Sequence, residues 1–386
     1  MELIICHYSE IGLKGKNRRF FEERLIENIK KALPKNSWQK VRRISGRILV
    51  ELKKERDKEK IKENLKNVFG LAFFSFGVNC EQNIEAIKEK AVEILKDKEF
   101  KTFKIETQRS KKDFPLTSQE ISKQVGEYVL KKAKVKNQKL NIKVDLEKPD
   151  ITCFIEIVDN YAFLYTEKIP GPGGLPVGVS GKAVSLLSGG IDSPVASYYG
   201  QRRGIKIIFL HFFTHKNSIK KIEKIVKVLN KYQFKSKLYL VPFLDVQKEI
   251  FKKTEPKFCC LLCRRFMFKI AEILAKKERA EALITGENIG QVASQTLRNI
   301  GVIEEITKLP VLRPLVGMDK EDIMNKAKEI GTFSVSILPQ EFYCQKFLPK
   351  HPETKADLRK VKEEEEKLDV EKLIDEAVKR SQIYKL

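Results

Sequence analysis

The chain of 386 residues has no long apolar run and only seven cysteines. No stretch approaches the roughly 20 apolar residues that a membrane-spanning helix needs. A signal peptide begins with basic residues, whereas this chain has Glu2 directly after Met1. We therefore expect a cytoplasmic protein with no membrane partner. In that compartment, so few cysteines in a chain of this length argue against a disulfide framework.

Acidic residues are scarce relative to basic ones. Asp and Glu together number 52 and Lys and Arg number 76, which gives a formal net charge of +24. Heat-adapted proteins often have more charged surface residues, but both acidic and basic residues increase in them, so heat adaptation would not by itself produce this imbalance. The excess of positive charge predicts a polyanionic partner, and nucleic acid is the natural one.

The most informative segment is Ser188-Gly189-Gly190-Ile191-Asp192-Ser193-Pro194, which follows the apolar run 183–187. This order predicts a strand, a tight turn and the start of a helix near Ser193. Two glycines let the backbone approach a phosphate closely, and the N-terminal end of a helix favours an anion. The segment lacks the Gly-Lys-Ser/Thr ending of a Walker P-loop, and a chance Ser-Gly-Gly turn is the alternative. The pattern favours a site for nucleotide phosphates.

Apolar patterns give the two halves of the chain different characters. Alternating strands and helices predict a small α+β arrangement before residue 169, with one strand over 41–52 and Asn17 as the N-cap of the first helix. Residues 169–180, rich in glycine and proline, are typical of a linker, although a segment that closes over a nucleotide is an alternative. Later strands separated by helical patterns predict an α/β domain with a parallel sheet flanked by helices. These strands are 183–187, 205–210, 236–241 and 280–284. Ligands bind such sheets at the carboxyl ends of the strands, where the glycine-rich segment lies.

Several motifs together resemble the tRNA 4-thiouridine synthetase (ThiI) family, in the form without a C-terminal rhodanese domain. They are the glycine-rich segment, which is similar to the SGGxDS signature of PP-loop pyrophosphatases, and the segments 285–296, 313–320 and 8–17. The resemblance implies an N-terminal ferredoxin-like domain (1–56), a tRNA-binding THUMP domain (57–168), a linker (169–180) and a PP-loop catalytic domain (181–386). Residues 108–118 are similar to the THUMP core.

The resemblance also implies a site for ATP and Mg²⁺. The family's ATP contacts correspond to Leu186, Leu187, His211, Phe212, Arg265, Gly286 and Gln295, in addition to Ser188, Gly189, Gly190 and Ser193 of the glycine-rich segment. Asp192 and Lys320 match the residues that the family uses around the triphosphate, with Lys320 offsetting charge on the phosphates and Asp192 holding magnesium or shaping the loop. The residues alone favour a structural histidine for His211 and a surface lysine for Lys320.

Two basic clusters are candidates for RNA contact. One comprises Lys14, Lys16 and Arg18 at a predicted helix start, where cations oppose the helix dipole. The other comprises Arg109, Lys111 and Lys112 on a loop before a helix, with Phe114 available to pack on a sugar or base. Charge runs are often only solvated, and that alternative stays open for both clusters.

The cysteines bear on the source of sulfur. The segment 259–263 contains a Cys-x-x-Cys, and Cys260, Cys263 and Cys344 correspond to the ligands of an iron–sulfur cluster in family members that lack the rhodanese domain. Cys344 also aligns with the family's persulfide-carrying cysteine, and the missing rhodanese domain puts a persulfide relay in doubt. Cys259 could replace Cys260 as a ligand, and a zinc site with His351 or plain packing are further alternatives. Cys6, Cys80 and Cys153 are expected in the core.

The expected activity is that of an ATP-dependent tRNA sulfurtransferase. It would adenylate O4 of uridine 8 and replace that oxygen with sulfur, giving 4-thiouridine, AMP and pyrophosphate. The resemblance also implies a cysteine desulfurase or sulfide as the sulfur source, a homodimer, and sulfur transfer to the sulfur carrier protein of thiamine synthesis. The alternatives are another PP-loop activity, such as 2-thiolation of tRNA or amidation, and a tRNA-binding adaptor without catalysis.

Overall fold

The computed structural model describes residues 2–54, 57–110, 113–136, 142–339 and 352–386. It divides into two compact units, residues 1–175 and 176–386. The division falls inside the segment that the sequence predicts to be a linker. Among the described residues, no helix combines the length and the apolar character needed to cross a membrane.

The first unit is built on one nine-stranded sheet. Its strands and helices are β1 (Glu2–Tyr8), α1 (Arg18–Ala32), β2 (Trp38–Ile44), β3 (Arg47–Leu52), α2 (Lys58–Leu65), β4 (Leu71–Glu81), α3 (Ile84–Leu95), β5 (Thr102–Arg109), α4 (Ser118–Lys136), β6 (Lys143–Val144), β7 (Ile151–Val158), β8 (Tyr161–Tyr165) and β9 (Ile169–Pro170). The strand order is β2-β3-β1-β4-β8-β7-β5-β6, and β9 pairs with β4. Because β4 pairs with β1 on one side and with β8 on the other, the sheet is continuous across the predicted division at residues 56 and 57. The predicted domain boundaries stay a prediction.

Two local predictions for this unit are wrong. The expected single strand over 41–52 is a hairpin of β2 and β3 that turns at Ser45 and Gly46, where Gly46 has a φ of +73°. Glycine adopts that conformation without strain, and this allows the tight reversal. Asn17 does not cap α1 with its side chain, because it already has helical dihedrals at the end of a short 3-10 turn.

The second unit has a six-stranded sheet with helices packed against it. Its elements are β10 (Lys182–Leu186), α5 (Asp192–Arg202), β11 (Lys206–Phe213), α6 (Asn217–Gln233), β12 (Lys237–Pro242), α7 (Leu244–Lys253), α8 (Cys259–Glu278), β13 (Ala282–Ile284), α9 (Leu297–Glu304), β14 (Val311–Leu312), α10 (Lys320–Ile330), α11 (Phe333–Ser336), α12 (Leu358–Glu366), α13 (Val370–Lys379) and β15 (Gln382–Lys385). The strand order is β14-β13-β10-β11-β12-β15. The four predicted strands, β10 to β13, are parallel as expected. Two strands were not predicted: β14, which extends the parallel set, and β15, which adds an antiparallel edge.

The strand order reverses at β10. The chain proceeds from β10 through β11 to β12 on one side and then returns to place β13 and β14 on the other. Helices α5, α6 and α10 pack together, and α8 packs with α7, α9, α12 and α13. Crevices for ligands form at the carboxyl ends of strands beside such a reversal. The α/β fold class predicted for this part of the chain is confirmed.

Candidate active site

The glycine-rich turn, residues 187–191, connects the carboxyl end of β10 to the first residue of α5. Gly189 has a φ of +83°, a conformation that side chains other than glycine rarely adopt. The Ser193 hydroxyl closes the turn, since its Oγ accepts a hydrogen bond from the Ser188 backbone N–H at 3.0 Å and lies 3.1 Å from the Ser188 Oγ. The N-terminal end of α5 therefore begins at a fixed turn, which is the geometry that favours an anion.

Gly286, in the loop after β13, packs directly against this helix start. A Cβ at position 286 would lie 2.6 Å from the backbone N of Ser193 and 2.8 Å from the carbonyl carbon of Asp192. Both contacts are with backbone atoms, so neither can move aside cheaply. Only glycine permits this approach, and it joins the two segments that the sequence singled out.

A cavity of about 660 Å³ opens beside the turn. This volume lies within the roughly 300–1,000 Å³ typical of small-molecule sites. Of the predicted site residues, the following line it: Leu186, Leu187, Ser188, Asp192, Ser193, Phe212, Cys260, Cys263, Gly286 and Gln295. Gly189 and Gly190 lie within the turn itself. Among the described residues, the Oε1 of Gln295 is buried without a hydrogen-bond partner. The cavity thus combines a turn suited to phosphates, an apolar wall that a base can pack against and a buried polar atom without a partner, which together fit a nucleotide.

His211 lies behind the cavity wall rather than in it. Its ring is 2 % exposed, with Nδ1 2.7 Å from the carbonyl oxygen of Leu187 and Nε2 3.1 Å from the Ser218 hydroxyl. Burial lowers the pKa of His211 to about 4, although the bond to Leu187 opposes that shift. The ring is therefore neutral near pH 7, and Nδ1 carries the proton that it donates to Leu187. His211 fixes the first residue of the glycine-rich turn.

Asp192 and Lys320 meet at the edge of the cavity. The Nζ of Lys320, the first residue of α10, donates to the Oδ1 of Asp192 at 2.6 Å. Their side chains are 46 % and 26 % exposed, respectively. The structure thus brings together a cation and a carboxylate that are 128 residues apart in sequence, beside the turn that is suited to phosphates.

The two neighbouring arginines of α8 face different surroundings. Arg265 is 2 % exposed and pairs with Glu305 and Glu365, while its Nη1 also donates to the carbonyl oxygen of Val302 at 2.6 Å. The structure does not place Arg265 in the cavity wall. Arg264 lies there instead and donates to Glu287. Helical spacing is the signal that points to Arg264, because Cys260, Cys263 and Arg264 recur at i, i+3 and i+4.

Cys260 and Cys263 line the cavity from the first turns of α8. Cys259 points elsewhere, since its Sγ lies 3.6 Å from the carbonyl oxygen of Glu255 and 3.7 Å from the Thr254 hydroxyl. Burial raises the pKa of the Cys259 thiol and disfavours its thiolate. Cys344 and His351 lie outside the described residues. Within the described ranges, no three His, Cys, Asp or Glu side chains are grouped so that they could hold a metal ion.

The predicted core cysteines lie in the first unit. Cys6 on β1 and Cys153 on β7 are fully buried, and burial raises the pKa of the Cys153 thiol to about 12. Cys80 on β4 is half-buried against the core, and its pKa is raised to about 11, mainly by burial. The expectation is confirmed for Cys6 and Cys153.

Arg109 organises the loop that the sequence marks as a candidate RNA contact. Its Nη1 donates to the backbone oxygens of Phe114 at 3.1 Å and of Leu116 at 2.7 Å. Phe114 is half-buried against the core rather than free on the surface. Lys111 and Lys112 lie outside the described residues. Arg109, at the end of β5, is thus bonded to the backbone just before α4.

The other basic cluster surrounds the start of α1. Lys16 and Arg18 are exposed. Arg18 lies over the ring of Tyr8 at 5.8 Å and near the buried carboxylate of Glu22 at 3.8 Å. Lys14 lies over the ring of Phe21 at 5.2 Å. These contacts leave the cations at the surface, where a polyanion can reach them.

A glycine-rich turn at the carboxyl edge of a parallel sheet, beside a reversal of strand order and a cavity, defines a doubly wound nucleotide-binding domain. The family model described as "Thiamine biosynthesis protein (ThiI)" matches residues 178–370. The models described as "ThiI ferredoxin-like domain" and "THUMP domain" match residues 3–75 and 81–167. The chain belongs to the ThiI family, as its sequence motifs predict.

Curated proteins and a solved structure resemble the chain over its whole length. A "Probable tRNA sulfurtransferase" of Thermoanaerobacter pseudethanolicus is 45 % identical, covering 97 % of each chain. Another of that name from Moorella thermoacetica is 42 % identical, covering 98 % of this chain and 96 % of the relative. The crystal structure of a 4-thiouridine synthetase–RNA complex with bound ATP is 36 % identical, covers 100 % of both chains and superimposes with a TM-score of 0.89.

Proposed function

We propose that the protein is an ATP-dependent tRNA sulfurtransferase that converts uridine 8 of tRNA to 4-thiouridine. The observation that carries this proposal is the composition of one cavity wall, which contains Ser188 and Ser193 of the phosphate-type turn together with Cys260 and Cys263. Activation by a nucleotide and transfer of sulfur both act on one carbon of the base, so they require groups within reach of the same point. The family and its relatives named tRNA sulfurtransferase support this assignment.

The first half of the reaction would use the turn and the Asp192–Lys320 pair. O4 of the uridine attacks the α-phosphorus of ATP, the bond to the bridging oxygen breaks, and pyrophosphate leaves. Negative charge develops on the phosphate oxygens, and Lys320 would stabilise it. Asp192 is the carboxylate at this end of the cavity that would hold Mg²⁺ together with phosphate oxygens.

The second half replaces the activated oxygen. Sulfur attacks C4 of the base as a sulfide-level nucleophile, the C4–O bond breaks, and AMP leaves with that oxygen. Cys260 and Cys263 lie one helical turn apart on the cavity face of α8 and would provide two thiolate ligands for an iron–sulfur cluster, with Cys344 as the third. A persulfide on Cys344 is the competing source of sulfur. The position of Cys259 away from the cavity favours Cys260 as the ligand.

The remaining parts of the proposal concern partners. The net charge of +24 supports a tRNA substrate, met by the loop that Arg109 organises and by the Lys14, Lys16 and Arg18 cluster. We further propose a homodimer in the cytoplasm that receives sulfur from a cysteine desulfurase or from sulfide. We also propose transfer of sulfur to the sulfur carrier protein of thiamine synthesis, which rests on the family resemblance.

Anaerobic thiolation of unmodified tRNA with ATP and sulfide tests the proposal. Metal-free protein would be compared with iron-reconstituted protein, and the modified nucleoside would be mapped by mass spectrometry. If a cluster handles the sulfur, only the reconstituted protein should form 4-thiouridine at position 8. Equal activity of the metal-free and reconstituted proteins would instead assign sulfur transfer to a cysteine thiol, and Cys344 would be the first candidate. Cys260→Ala and Cys259→Ala form a matched pair: the first should abolish thiolation and the second should spare it. Pyrophosphate release without any thionucleoside would refute the proposed product.

A further inference from the structure

Glu287 is a buried carboxylate that contacts three side chains at the cavity wall. It is 3 % exposed and lies in the loop after β13. Its Oε2 accepts a hydrogen bond from the Thr285 hydroxyl at 3.0 Å and another from the Nε of Arg313 at 2.8 Å. Its Oε1 accepts one from the Nη1 of Arg264. A carboxylate with both oxygens engaged in this way has a single orientation.

Arg313 anchors the far side of this cluster. Its Nη1 donates to the Oε2 of Glu304 at 2.7 Å, so its guanidinium is held by two carboxylates. Its side chain is only 12 % exposed. Arg313 and Thr285 fix one oxygen of Glu287, and the other oxygen meets Arg264. The chain of contacts runs from the sheet edge, through Glu287, to the cavity.

Arg264 is the member of the cluster that is open to the cavity. Its side chain is 29 % exposed, and it lines the cavity on the same face of α8 as Cys260 and Cys263. A guanidinium has five N–H donors in a planar fork, of which Nη1 meets Glu287, so donors remain for an anion. Glu287 and Glu304 balance the charges of Arg264 and Arg313, and Arg264 is the cation of this set that lines the cavity. A long side chain left loose would lose rotamer freedom on binding a ligand.

We infer that Glu287 is a positioning residue that holds the Arg264 guanidinium at the cavity wall, where it meets a phosphate oxygen of the bound nucleotide. This inference rests on the proposed function insofar as the ligand is ATP. The competing explanation is structural: Glu287 would only stabilise the packing of α8 against the loop after β13, and Arg264 would be one of the two arginines that bind it for that purpose. The two explanations differ in whether the effect of Glu287 on ATP requires Arg264.

A double-mutant cycle on ATP affinity separates them. ATP binding to the full-length protein would be measured by titration calorimetry for the wild type, Glu287→Gln, Arg264→Met and the double variant. Loss of a hydrogen bond between charged groups corresponds to about a 10- to 100-fold weaker Kd. We expect each single variant to lose that much and the double variant to bind no more weakly than Arg264→Met. Losses that multiply in the double variant would overturn the inference.

Two further variants keep the test decisive. Thr285→Val removes one hydrogen bond to Glu287 without removing its charge, and it should weaken ATP binding about 2- to 10-fold in the wild type and not at all in the Arg264→Met background. If Glu287→Gln does not fold, Thr285→Val replaces it in the double-mutant cycle with Arg264→Met. Glu304→Gln removes the other carboxylate partner of Arg313 and is the control, with an unchanged Kd expected. A loss equal to that of Glu287→Gln would assign the effect to the ion-pair network as a whole.

Failure of the proposed function would look different. The cycle measures ATP binding alone, without tRNA or a source of sulfur. Wild-type protein that binds ATP and shows the expected coupling, yet forms no thionucleoside, would refute the sulfurtransferase proposal and leave the role of Glu287 intact. If the wild-type protein thiolates tRNA but the losses of ATP affinity in the two single variants multiply in the double variant, the role of Glu287 is refuted and the sulfurtransferase proposal stands. Wild-type protein that does not bind ATP would overturn the inference directly.

Discussion

The buried ring of His211 predicts a pH dependence of stability whose sign and size follow from the structure. Burial lowers the pKa of His211 from 6.5 to about 4, so the unfolded chain takes up this proton before the folded chain does. The stabilising effect of the neutral ring is complete above about pH 6.5 and is lost as the pH falls toward 4. One pKa unit corresponds to ~1.4 kcal/mol, so His211 should reduce the free energy of unfolding by ~2 kcal/mol at pH 5 and by ~3 kcal/mol at pH 4.

His211→Asn isolates this contribution. The asparagine amide can still donate a hydrogen bond toward the Leu187 oxygen, but it has no group that titrates in this range. The variant should be less stable than the wild type at pH 7, because it fills less of the buried space. The difference between the two proteins should shrink by ~2 kcal/mol between pH 7 and pH 5. Carboxylates that titrate in the same range are common to both proteins and cancel.

Urea denaturation at pH 7, 6, 5 and 4, followed by far-UV circular dichroism, would measure this difference. Trp38 is the only tryptophan of the chain and lies on β2 of the first unit. Its fluorescence therefore reports the unfolding of the first unit, whereas His211 lies in the second. Parallel pH profiles for wild type and variant would refute the reasoning, because they would mean that His211 titrates at the same pH in the folded and unfolded chains.

Three further predictions concern the nucleotide and RNA sites. Gly286→Ala should abolish ATP binding, since its Cβ would lie 2.6 Å from a backbone nitrogen; normal ATP binding in a calorimetric titration would contradict this packing argument. Gly301→Ala is the matched control, because no atom lies within 4 Å of the added Cβ. Its free energy of unfolding, measured by thermal denaturation, should rise by ~1 kcal/mol. Lys320→Met should slow pyrophosphate release ~100-fold or more while weakening ATP binding far less, and an unchanged rate would remove Lys320 from the chemistry. Arg109→Met should weaken tRNA binding and reduce its salt slope by about one, as measured by filter binding at several salt concentrations; unchanged tRNA affinity would exclude that loop from the footprint.

The sequence predicts the centre of this molecule well because local and long-range signals agree there. Apolar runs of strand length mark the parallel strands, and the two glycines after β10 mark a turn that few other residues could form. The antiparallel edge strand β15 was not predicted, because its four residues are exposed and carry no apolar alternation. The hairpin at Ser45 and Gly46 was missed for another reason: the turn is only two residues long, and apolar residues lie close to it on both sides, at Val41 and Ile44 in β2 and throughout β3.

The side chains of the site were harder to predict than its backbone. Two adjacent arginines on α8 have the same chemistry, and only their direction around the helix shows that Arg264 meets the cavity and Arg265 meets Glu305 and Glu365. Glu287 was not singled out, because its importance depends on Arg313 and Arg264, which come from distant segments. Contacts of this kind depend on the tertiary fold and leave no local pattern.

The position of α8 explains how one cavity can combine two kinds of chemistry. Its cavity face carries Cys260, Cys263 and Arg264, whereas Phe266 and Ile270 are fully buried in the core. Cys260 and Arg264 are four residues apart, about 6 Å along the helix axis, and Cys263 directly precedes Arg264. The thiols and the guanidinium are therefore held together on one face of a helix that is itself fixed by packing. A phosphate held by Arg264 and sulfur held by the cysteines would then both lie close to one small substrate group. That spacing suits a base carbon that is first joined to AMP through its oxygen and then attacked by sulfur, because neither step requires the base to move to a second site.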